Sequence, residues 1–579
     1  MNTSSVSSAT ARNWERLGID GKGKLTKRAN KIKSKKRIIP YEYISKKSNT
    51  TLLETIVEVI ISNNYSCMDC IFTLCVCQLK AYGIYMNRNV QQVLSEYASN
   101  SIIEELNQYS LPTDEFDFIG AIYQSLLFEG NKNCMGSYYT PPKVSAHMTK
   151  NLDFSSGQKF LDPCCGSGSF LLSLKCNDPN LIYGIDNDAI AVLIAKTNLL
   201  CKYSGHLFIP HIFCLNYLES NTLLEHNPVL DELFDYICTN PPWGAVTDDV
   251  GLSFAIQSGE SFSIFFVQSF FKLKPNGLIR FLFPESILNV KTHKDIRSFM
   301  LDNCSLKSIT FYKENFTGVV TSYVDILACN STPLEKVYVT KDGESFCIAT
   351  DNFRKTESLV FNILTDIDIS IINKIKKISP YNLSQSVWAL GIVTGNNKEK
   401  LFDVPRQDME PIFTGKEISR YVLKPAKKYI YYDRGQFQQV AKDEIYRAKK
   451  KLVYKFISKK LVFSIDDSAS LFLNSANILI PTIPHMSINS VAAFLNSELY
   501  QYLYEKMFGE IKILKGSLAS LPFADITEEE DRTLSNYVEE FMDSKVDDDS
   551  KIQQFVYNIF GLNNEQIKYV KGVVHGTAN

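Results

Sequence analysis

The segment Phe160-Leu161-Asp162-Pro163-Cys164-Cys165-Gly166-Ser167-Gly168-Ser169-Phe170-Leu171 combines two apolar runs with a glycine-containing turn between them. We interpret it as a strand that leads through a tight turn into a helix. In doubly wound sheets, such a turn lets a ligand lie against bare backbone at the carboxyl end of the strand. The spacing departs from the full dinucleotide fingerprint, and no Lys-Ser/Thr pair for a nucleotide phosphate follows. The turn alone therefore predicts a nucleotide-like cofactor site without identifying the cofactor.

A second apolar run ends in an acidic residue twenty positions after Gly166. In Tyr183-Gly184-Ile185-Asp186-Asn187-Asp188, Asp186 directly follows the apolar residues. A carboxylate at this place can accept hydrogen bonds from both ribose hydroxyls of a bound nucleoside. The alternative is that both acids are ordinary loop or helix-cap residues. We select Asp186, rather than Asp188, as the ribose-binding residue.

The most specific segment is Phe234-Asp235-Tyr236-Ile237-Cys238-Thr239-Asn240-Pro241-Pro242-Trp243-Gly244. Two prolines directly after a strand end the strand and fix a turn. That turn presents the Asn240 side-chain amide and the Pro241 carbonyl as two rigid acceptors beside the Trp243 ring. The exocyclic amino group of a flipped base needs such an arrangement, because its lone pair is delocalised into the ring. The structural alternative is a rigid proline turn with an exposed tryptophan.

Short apolar runs alternate with helical segments from Gly136 to about Asn330, which predicts an α/β fold with a parallel sheet and helices on both faces. The strand candidates in this region are 160–161, 181–185, 236–239 and 278–283. Around it, periodicity and composition divide the chain into several segments. We predict a basic arm with a possible DNA-binding helix-turn-helix (1–50), a helical domain (51–135), a catalytic domain (136–330), a connector (331–375), a recognition domain (376–525) and C-terminal helices (526–579).

Bulk composition narrows the function classes. The chain has 579 residues with a net charge of −1, and no apolar run reaches the roughly 18 residues of a membrane span. The N-terminus is polar and then basic, without the apolar segment of a secretory signal, so we expect a cytoplasmic protein. The 14 cysteines are then expected to be reduced thiols. A second basic stretch at 416–460 is interleaved with aromatic residues, a composition that suits a phosphate backbone or, alternatively, a solvated surface over core aromatics.

Taken together, these motifs resemble those of the gamma-class adenine-N6 DNA methyltransferases of restriction-modification systems. The resemblance extends to the modification subunits of type I systems and the methylase part of type IIG enzymes. Gly136-Ser137-Tyr138-Tyr139-Thr140-Pro141-Pro142 matches the family's upstream motif, and Phe118-Ile119-Gly120-Ala121-Ile122-Tyr123 matches its helical lead-in. The implied fold is a Rossmann-like methyltransferase domain, with a helical domain before it and a mixed α/β target-recognition domain after it.

The resemblance implies S-adenosyl-L-methionine as the cofactor and no metal. Asp162 stands where the family meets the methionine amino group, whereas Asn216 departs from the acid that often faces the cofactor adenine. Phe316 stands where an aromatic residue stacks on the flipped base opposite Trp243. The implied cofactor-binding residues are Tyr139, Thr140, Asp162, Cys164, Gly166, Gly168, Asp186 and Asn216. The implied catalytic residues are Asn240, Pro241, Pro242, Trp243 and Phe316.

A looser resemblance continues through Phe413-Thr414-Gly415-Lys416-Glu417-Ile418 and the stretch 451–481, which are similar to family recognition domains. Double-stranded DNA is the expected partner, and the candidate DNA contacts are Lys416, Arg420, Arg434 and Arg447. The region before Gly136 shows no convincing nuclease constellation. A separate restriction nuclease or specificity subunit is therefore an open possibility.

The expected reaction is direct transfer of a methyl group from the cofactor sulfonium to N6 of adenine. Three other functions stay open: N4-cytosine methylation, protein-glutamine methylation, and a non-catalytic DNA-binding subunit. Cytosine-C5 methylation needs a cysteine nucleophile. Cys164 lies in the cofactor turn, where its thiol would face the wrong ligand.

Overall fold

The computed structural model describes residues 37–128, 140–218, 232–243, 256, 259–313, 321–458, 460–508, 513–544 and 547–576. The described residues divide into two compact units, one that ends at Asn362 and one that begins at Ile363. Most of the basic arm, with its candidate helix-turn-helix, lies outside the described residues. In the described part of the chain, no helix is long and apolar enough to cross a membrane. The predicted domain boundaries remain predictions.

Within the described residues, the first unit contains a nine-stranded sheet in the order β3-β2-β1-β4-β5-β7-β6-β8-β9. Its strands are β1 (Phe160–Asp162), β2 (Ile182–Asp186), β3 (His211–Cys214), β4 (Phe234–Thr239), β5 (Leu273–Pro284), β6 (Ser305–Phe311), β7 (Tyr323–Cys329), β8 (Lys336–Lys341) and β9 (Glu344–Ala349). Its helices are α1 (Lys47–Asn63), α2 (Cys67–Ala81), α3 (Arg88–Ser95), α4 (Glu104–Asn107), α5 (Phe118–Leu126), α6 (Pro142–Thr149), α7 (Ser169–Ser173), α8 (Ala189–Lys202), α9 (Ser261–Phe270), α10 (Lys294–Asn303) and α11 (Thr350–Arg354).

The central strands β1 to β5 pair in parallel, as the alternation of strands and helices predicts. β7 pairs antiparallel with both β5 and β6, and β8 and β9 form an antiparallel pair beyond them. The strand order reverses where β1 lies between β2 and β4, with Leu161 opposite Tyr183 on one side and Ile237 on the other. Ligands of open α/β sheets bind outside the carboxyl ends of the strands at such a point. The glycine turn follows β1, Asp186 is the last residue of β2, and Asn240 follows β4.

Four cysteines, Cys67, Cys70, Cys75 and Cys77, lie within helix α2. Cys70, Cys75 and Cys77 are buried, and the helix packs into the apolar core between the N-terminal helices and the sheet. A buried apolar face is what the Ile- and Phe-rich surroundings of these cysteines predict. Among the described residues, no group of three or more His, Cys, Asp or Glu side chains could hold a metal ion.

The second unit is mixed α/β. One sheet has the strand order β10-β16-β13-β14 and a smaller sheet the order β12-β11-β15. Its strands are β10 (Val387–Leu390), β11 (Glu410–Phe413), β12 (Lys428–Ile430), β13 (Lys451–Lys455), β14 (Phe463–Asp466), β15 (Leu471–Phe472) and β16 (Ala476–Ile480). Its helices are α12 (Asp366–Lys377), α13 (Asn397–Lys400), α14 (Asp443–Tyr446), α15 (Ile488–Asn496), α16 (Glu498–Met507), α17 (Lys515–Ala519), α18 (Glu528–Asp543), α19 (Ser550–Ile559) and α20 (Asn564–His575).

Local sequence signals account for several of these helices. Thr527 and Glu530 form a capping box at the start of α18, where a Thr-Glu-Glu-Glu run predicts a helix. Thr365 and Asp368 form a second capping box at the start of α12. In the larger sheet, β13, β14 and β16 are mostly buried, whereas the edge strand β10 is partly exposed. Lys451 and Asp466 form an ion pair inside this sheet. The mixed α/β class predicted for this part of the chain is confirmed.

Candidate active site

The turn between β1 and α7 brings bare backbone to the carboxyl edge of the sheet. Gly166 and Gly168 have φ values of +53° and +99°, in the left-handed region that disfavours side chains. The Cys165 amide donates to the Ile185 carbonyl at 2.8 Å, so the turn is tied to the end of β2. The two glycines are therefore needed for backbone conformation, and the turn can approach a ligand closely.

Asp186 ends β2 and is bound to this turn. One carboxylate oxygen accepts from the Gly166 amide at 2.8 Å and the other from the Asp188 amide at 3.0 Å. Burial is the main cause that raises the pKa of Asp186 to about 6. Asp188 instead caps α8 through the Ile190 amide and accepts from the Tyr123 hydroxyl at 2.6 Å. The helix-cap alternative thus describes Asp188, and Asp186 remains the candidate for a ribose.

Asp162 ends β1 and is fully buried. Its Oδ1 atom accepts from the Thr239 hydroxyl at 2.6 Å and from the Cys164 amide at 3.2 Å. Its Oδ2 atom is also buried and has no hydrogen-bond partner among the described residues. Burial, the largest cause, raises the pKa of Asp162 to about 7. A buried carboxylate with one unused oxygen is a site for a cationic donor.

The Asn240–Trp243 loop follows β4 and lies against the glycine turn. The Cys164 thiol is 2.8 Å from the Thr239 hydroxyl oxygen and donates to the Asn240 carbonyl at 3.5 Å. The Ser261 hydroxyl donates to the Pro242 carbonyl at 2.6 Å. The carbonyls of Asn240 and Pro242, on either side of that of Pro241, are therefore both held by hydrogen bonds.

Trp243 is half-buried and anchored to the sheet rather than freely exposed. Its indole Nε1 donates to the Leu282 carbonyl at 3.2 Å, and its ring lies 6.2 Å from that of Tyr323. Tyr323 in turn stacks on Tyr312 at 5.0 Å, and the Tyr312 hydroxyl donates to Asp325 at 2.7 Å. A platform held from behind in this way keeps its orientation when a planar ring stacks on it.

The remaining predicted site residues are Thr140, Asn216, Tyr139 and Phe316, and the structure describes the first two. Thr140 is buried, and its carbonyl accepts from the Ser169 hydroxyl at 2.7 Å, next to the glycine turn. Asn216 follows β3 and its side chain accepts from the Leu218 amide at 3.2 Å. The neighbouring Leu215 amide donates to the Asp186 carbonyl at 2.9 Å. Tyr139 and Phe316 lie outside the described residues.

Two side chains that support the site were missed from the sequence, Thr239 and Asp117. Asp117 is buried and caps α5 through the Gly120 amide at 2.9 Å. The same carboxylate accepts from Asn198 of α8 at 2.8 Å and from the Ser167 hydroxyl in the glycine turn. Its position before a helix marks Asp117 as a cap, but nothing local reveals that it also holds a turn fifty residues later.

In the second unit, the four candidate DNA contacts differ in their surroundings. Lys416 is exposed, and within the described ranges no carboxylate lies at ion-pair distance from its ammonium group. Arg420 pairs with Asp547 at 2.8 Å and with Asp549. Arg434 lies 2.5 Å from Asp443, and Arg447 binds both oxygens of Glu410 at 2.7 and 2.8 Å. A phosphate would have to compete with a carboxylate for each of these three arginines.

Two family models match the chain. Residues 114–378 match the N-6 DNA Methylase family, and residues 410–523 match the TaqI-like C-terminal specificity domain. The type II methyltransferase M.VspI of Vibrio sp. (strain 343) is 28% identical over 58% of this chain and 84% of its own length. The methylase subunit of the Escherichia coli type I restriction enzyme EcoEI is 25% identical over 45% of this chain. The aligned part covers 56% of that subunit, little more than half of it.

A solved structure agrees in fold over most of the chain. The type IIL restriction-modification enzyme MmeI, solved in complex with DNA, superposes with a TM-score of 0.55 at 11% identity, covering 92% of this chain and 96% of that one. At this identity the likeness shows the fold alone. The match over residues 114–378 includes the glycine turn, Asp186 and the Asn-Pro-Pro-Trp loop. The chain therefore carries an N-6 DNA methylase region at residues 114–378 and a TaqI-like specificity domain at residues 410–523.

Proposed function

We propose that this protein transfers a methyl group from S-adenosyl-L-methionine to N6 of a flipped-out adenine at a specific site in duplex DNA. The observation that carries the proposal is the contact between two motifs with different tasks. The Cys164 thiol, in the glycine turn, donates a hydrogen bond to the Asn240 carbonyl at the start of the catalytic loop. Both segments lie at the point where the strand order of the sheet reverses. A cofactor bound at the turn would thus reach a base held at the loop.

The donor groups at the turn fit the proposed cofactor. The unused Oδ2 atom of Asp162 suits the methionine ammonium group, and the Asp186 carboxylate at the end of β2 suits two ribose hydroxyls. Thr140, Cys164 and Asn216, with Tyr139 outside the described residues, are proposed to line the same site. When bound, the cofactor supplies an activated methyl group, so no protein nucleophile is required. The protein's own contribution is to position the base against the cofactor and to exclude competing methyl acceptors.

The loop fits an exocyclic amino group. The Asn240 side-chain oxygen and the Pro241 carbonyl would each accept one amino hydrogen, which favours a more tetrahedral nitrogen with an available lone pair. Trp243 would hold the base from one side, and we propose Phe316 for the other side. Pro242 keeps the loop rigid, because its ring fixes the backbone and its carbonyl is held by Ser261.

A genome-wide map of modified bases tests the proposal. The protein is expressed in a host that lacks adenine methylation, and its DNA is read by long-read sequencing. N6-methyladenine at one recurring sequence is the expected result, whereas N4-methylcytosine would correct the base. An unmodified genome from folded protein that binds the cofactor would point to a missing partner subunit or to a substrate other than DNA.

Cofactor affinity is expected to depend on pH through Asp162. The pKa of this carboxyl is raised to about 7, so the unliganded site holds a proton below that pH. An ammonium group binds the charged carboxylate, so affinity should rise from pH 5 to pH 7 and then level off. Well below pH 7, the slope should approach tenfold per pH unit. Calorimetric titration with S-adenosylhomocysteine measures it, and an Asp162→Asn variant should bind weakly with a flatter profile.

The specificity domain is proposed to grip DNA partly through Lys416. A Lys416→Ala variant should bind every duplex more weakly, because a phosphate contact carries no sequence information. The slope of log affinity against log salt should fall by about 0.9 for one lost phosphate contact. Fluorescence anisotropy at several salt concentrations measures both effects, with the exposed Lys568→Ala as the matched control. An unchanged salt slope would remove Lys416 from the interface.

A further inference from the structure

A short chain of hydrogen bonds joins the cofactor side of the site to the catalytic side. Thr239, the last residue of β4, is fully buried. Its hydroxyl donates to Asp162 Oδ1 at 2.6 Å, and its oxygen is 2.8 Å from the Cys164 thiol. The same thiol reaches the Asn240 carbonyl at 3.5 Å. The path from the buried carboxylate to the loop thus crosses only two side chains.

The number of protons on each group decides which atom donates in each hydrogen bond of this chain. A threonine hydroxyl has a single proton, and here that proton is used on Asp162. The Thr239 oxygen can then only accept, so the Cys164 thiol proton is shared between Thr239 and the Asn240 carbonyl. A change in the charge of Asp162 alters how strongly it holds the threonine proton, and this change passes through the thiol to the loop.

We infer that Thr239 is a positioning residue that couples occupation of Asp162 to the placement of the Asn240 loop. The inference rests on the proposed function, since it takes Asp162 as the partner of the cofactor's ammonium group. Thr239 touches neither ligand in this scheme. It keeps Asp162 ready to bind as a carboxylate, and it transmits that state to the backbone of Asn240.

If Thr239 only filled space in the core, its replacement by valine would have a different effect. Valine has nearly the shape of threonine and would fill the same buried volume at the end of β4. A position that served only packing would accept it with little change. The hydroxyl is the single difference, and it donates to a carboxylate whose other oxygen is unused among the described residues. Loss of this donor should therefore disfavour the charged form of Asp162.

The surroundings of Asp162 act on its pKa in both directions. Desolvation and the charge of Asp186 raise its pKa, while the Thr239 hydroxyl and the Cys164 amide lower it. Among the described residues, the other titratable groups that face Asp162 are the thiols of Cys164, Cys165 and Cys238. Burial raises the pKa of each thiol well above its ordinary value, so all three stay neutral near pH 7. Among the described side chains, Thr239 is thus the one whose hydrogen bond favours the charged form of Asp162.

The test compares Thr239→Val, Thr239→Ser and wild-type protein by calorimetric titration with S-adenosylhomocysteine from pH 5 to pH 9. Thr239→Val should move the midpoint of the pH profile upward by about one unit, which weakens binding about fivefold at pH 7 and about tenfold well below pH 7. Thr239→Ser keeps a hydroxyl and should retain the wild-type midpoint. Thr197→Val, which removes a buried hydroxyl from α8, is the matched control and should leave the midpoint unchanged.

A second measurement, the unfolding temperature, needs no cofactor. It distinguishes a failure of the inference about Thr239 from a failure of the proposed function. The difference in unfolding temperature between the Val and Ser variants should widen as the pH rises above 7, where wild-type Asp162 becomes charged. A pH-independent difference, or equal loss of affinity at every pH, would reduce Thr239 to a packing residue. Wild-type protein that does not bind the nucleoside at all would refute the proposed cofactor, whatever the unfolding temperatures show.

Discussion

An Asn240→Ala variant is expected to lose methyl transfer by roughly two to three orders of magnitude, the usual cost of removing one preorganised hydrogen-bonding group from a reacting centre. In the proposed site, the Asn240 side-chain oxygen accepts a hydrogen bond from the amino group as the nitrogen becomes tetrahedral. This interaction strengthens towards the transition state, so its loss should lower the rate more than ground-state binding. Single-turnover incorporation of labelled methyl groups into DNA from a methylation-free host measures the effect.

The same variant should bind S-adenosylhomocysteine almost as well as wild-type protein. The contact between the loop and the glycine turn uses the Asn240 backbone carbonyl, which alanine retains. The exposed Asn536→Ala variant in α18 is the matched control and should keep full activity. An Asn240→Ala protein that transfers methyl groups at the wild-type rate would refute the role proposed for this side chain. Parallel losses of cofactor binding and activity would instead indicate a collapsed loop.

The features of the site that could be predicted from the sequence are those carried by contiguous residues. Local residue types determine the backbone geometry of the glycine turn, of the acid at the end of β2 and of the Asn-Pro-Pro-Trp loop. The alternation of strands and helices likewise predicts the parallel sheet. It does not predict the antiparallel insertion of β7 between β5 and β6, because pairing order depends on contacts between remote segments.

What could not be predicted is the set of partners that a polar side chain finds across the fold. The basic and aromatic stretch predicts arginines available to DNA, yet Arg420 pairs with Asp547 and Asp549, more than a hundred positions further along the chain. Asp117 reaches the glycine turn over a similarly unpredictable separation of fifty residues. Charge composition counts such residues but cannot assign their partners, since an ion pair depends on tertiary packing.

Replacing Asp325 with leucine is expected to destabilise the first unit by about 3–5 kcal/mol, the cost of leaving a buried charge without its partner. Asp325 is fully buried and binds the Arg280 guanidinium through both oxygens, at 2.7 and 3.1 Å. Arg280 also donates to the Met148 carbonyl at 2.9 Å, at the end of α6. The lost carboxylate therefore loosens three elements together, namely β5, β7 and α6. Urea unfolding followed by intrinsic tryptophan fluorescence measures the loss.

A double-mutant cycle shows whether the stability resides in the ion pair or in its surroundings. Two apolar groups can replace a buried pair at small cost, so Arg280→Met with Asp325→Leu should be more stable than Asp325→Leu alone. The exposed Asp351, paired with Lys355, is the matched control, and Asp351→Asn should cost less than about 1 kcal/mol. If the double variant is less stable than either single variant, additive packing losses are the cause. The network behind Tyr312 and Trp243 would then depend on side-chain shape, and Arg280 would serve mainly to cover the end of α6.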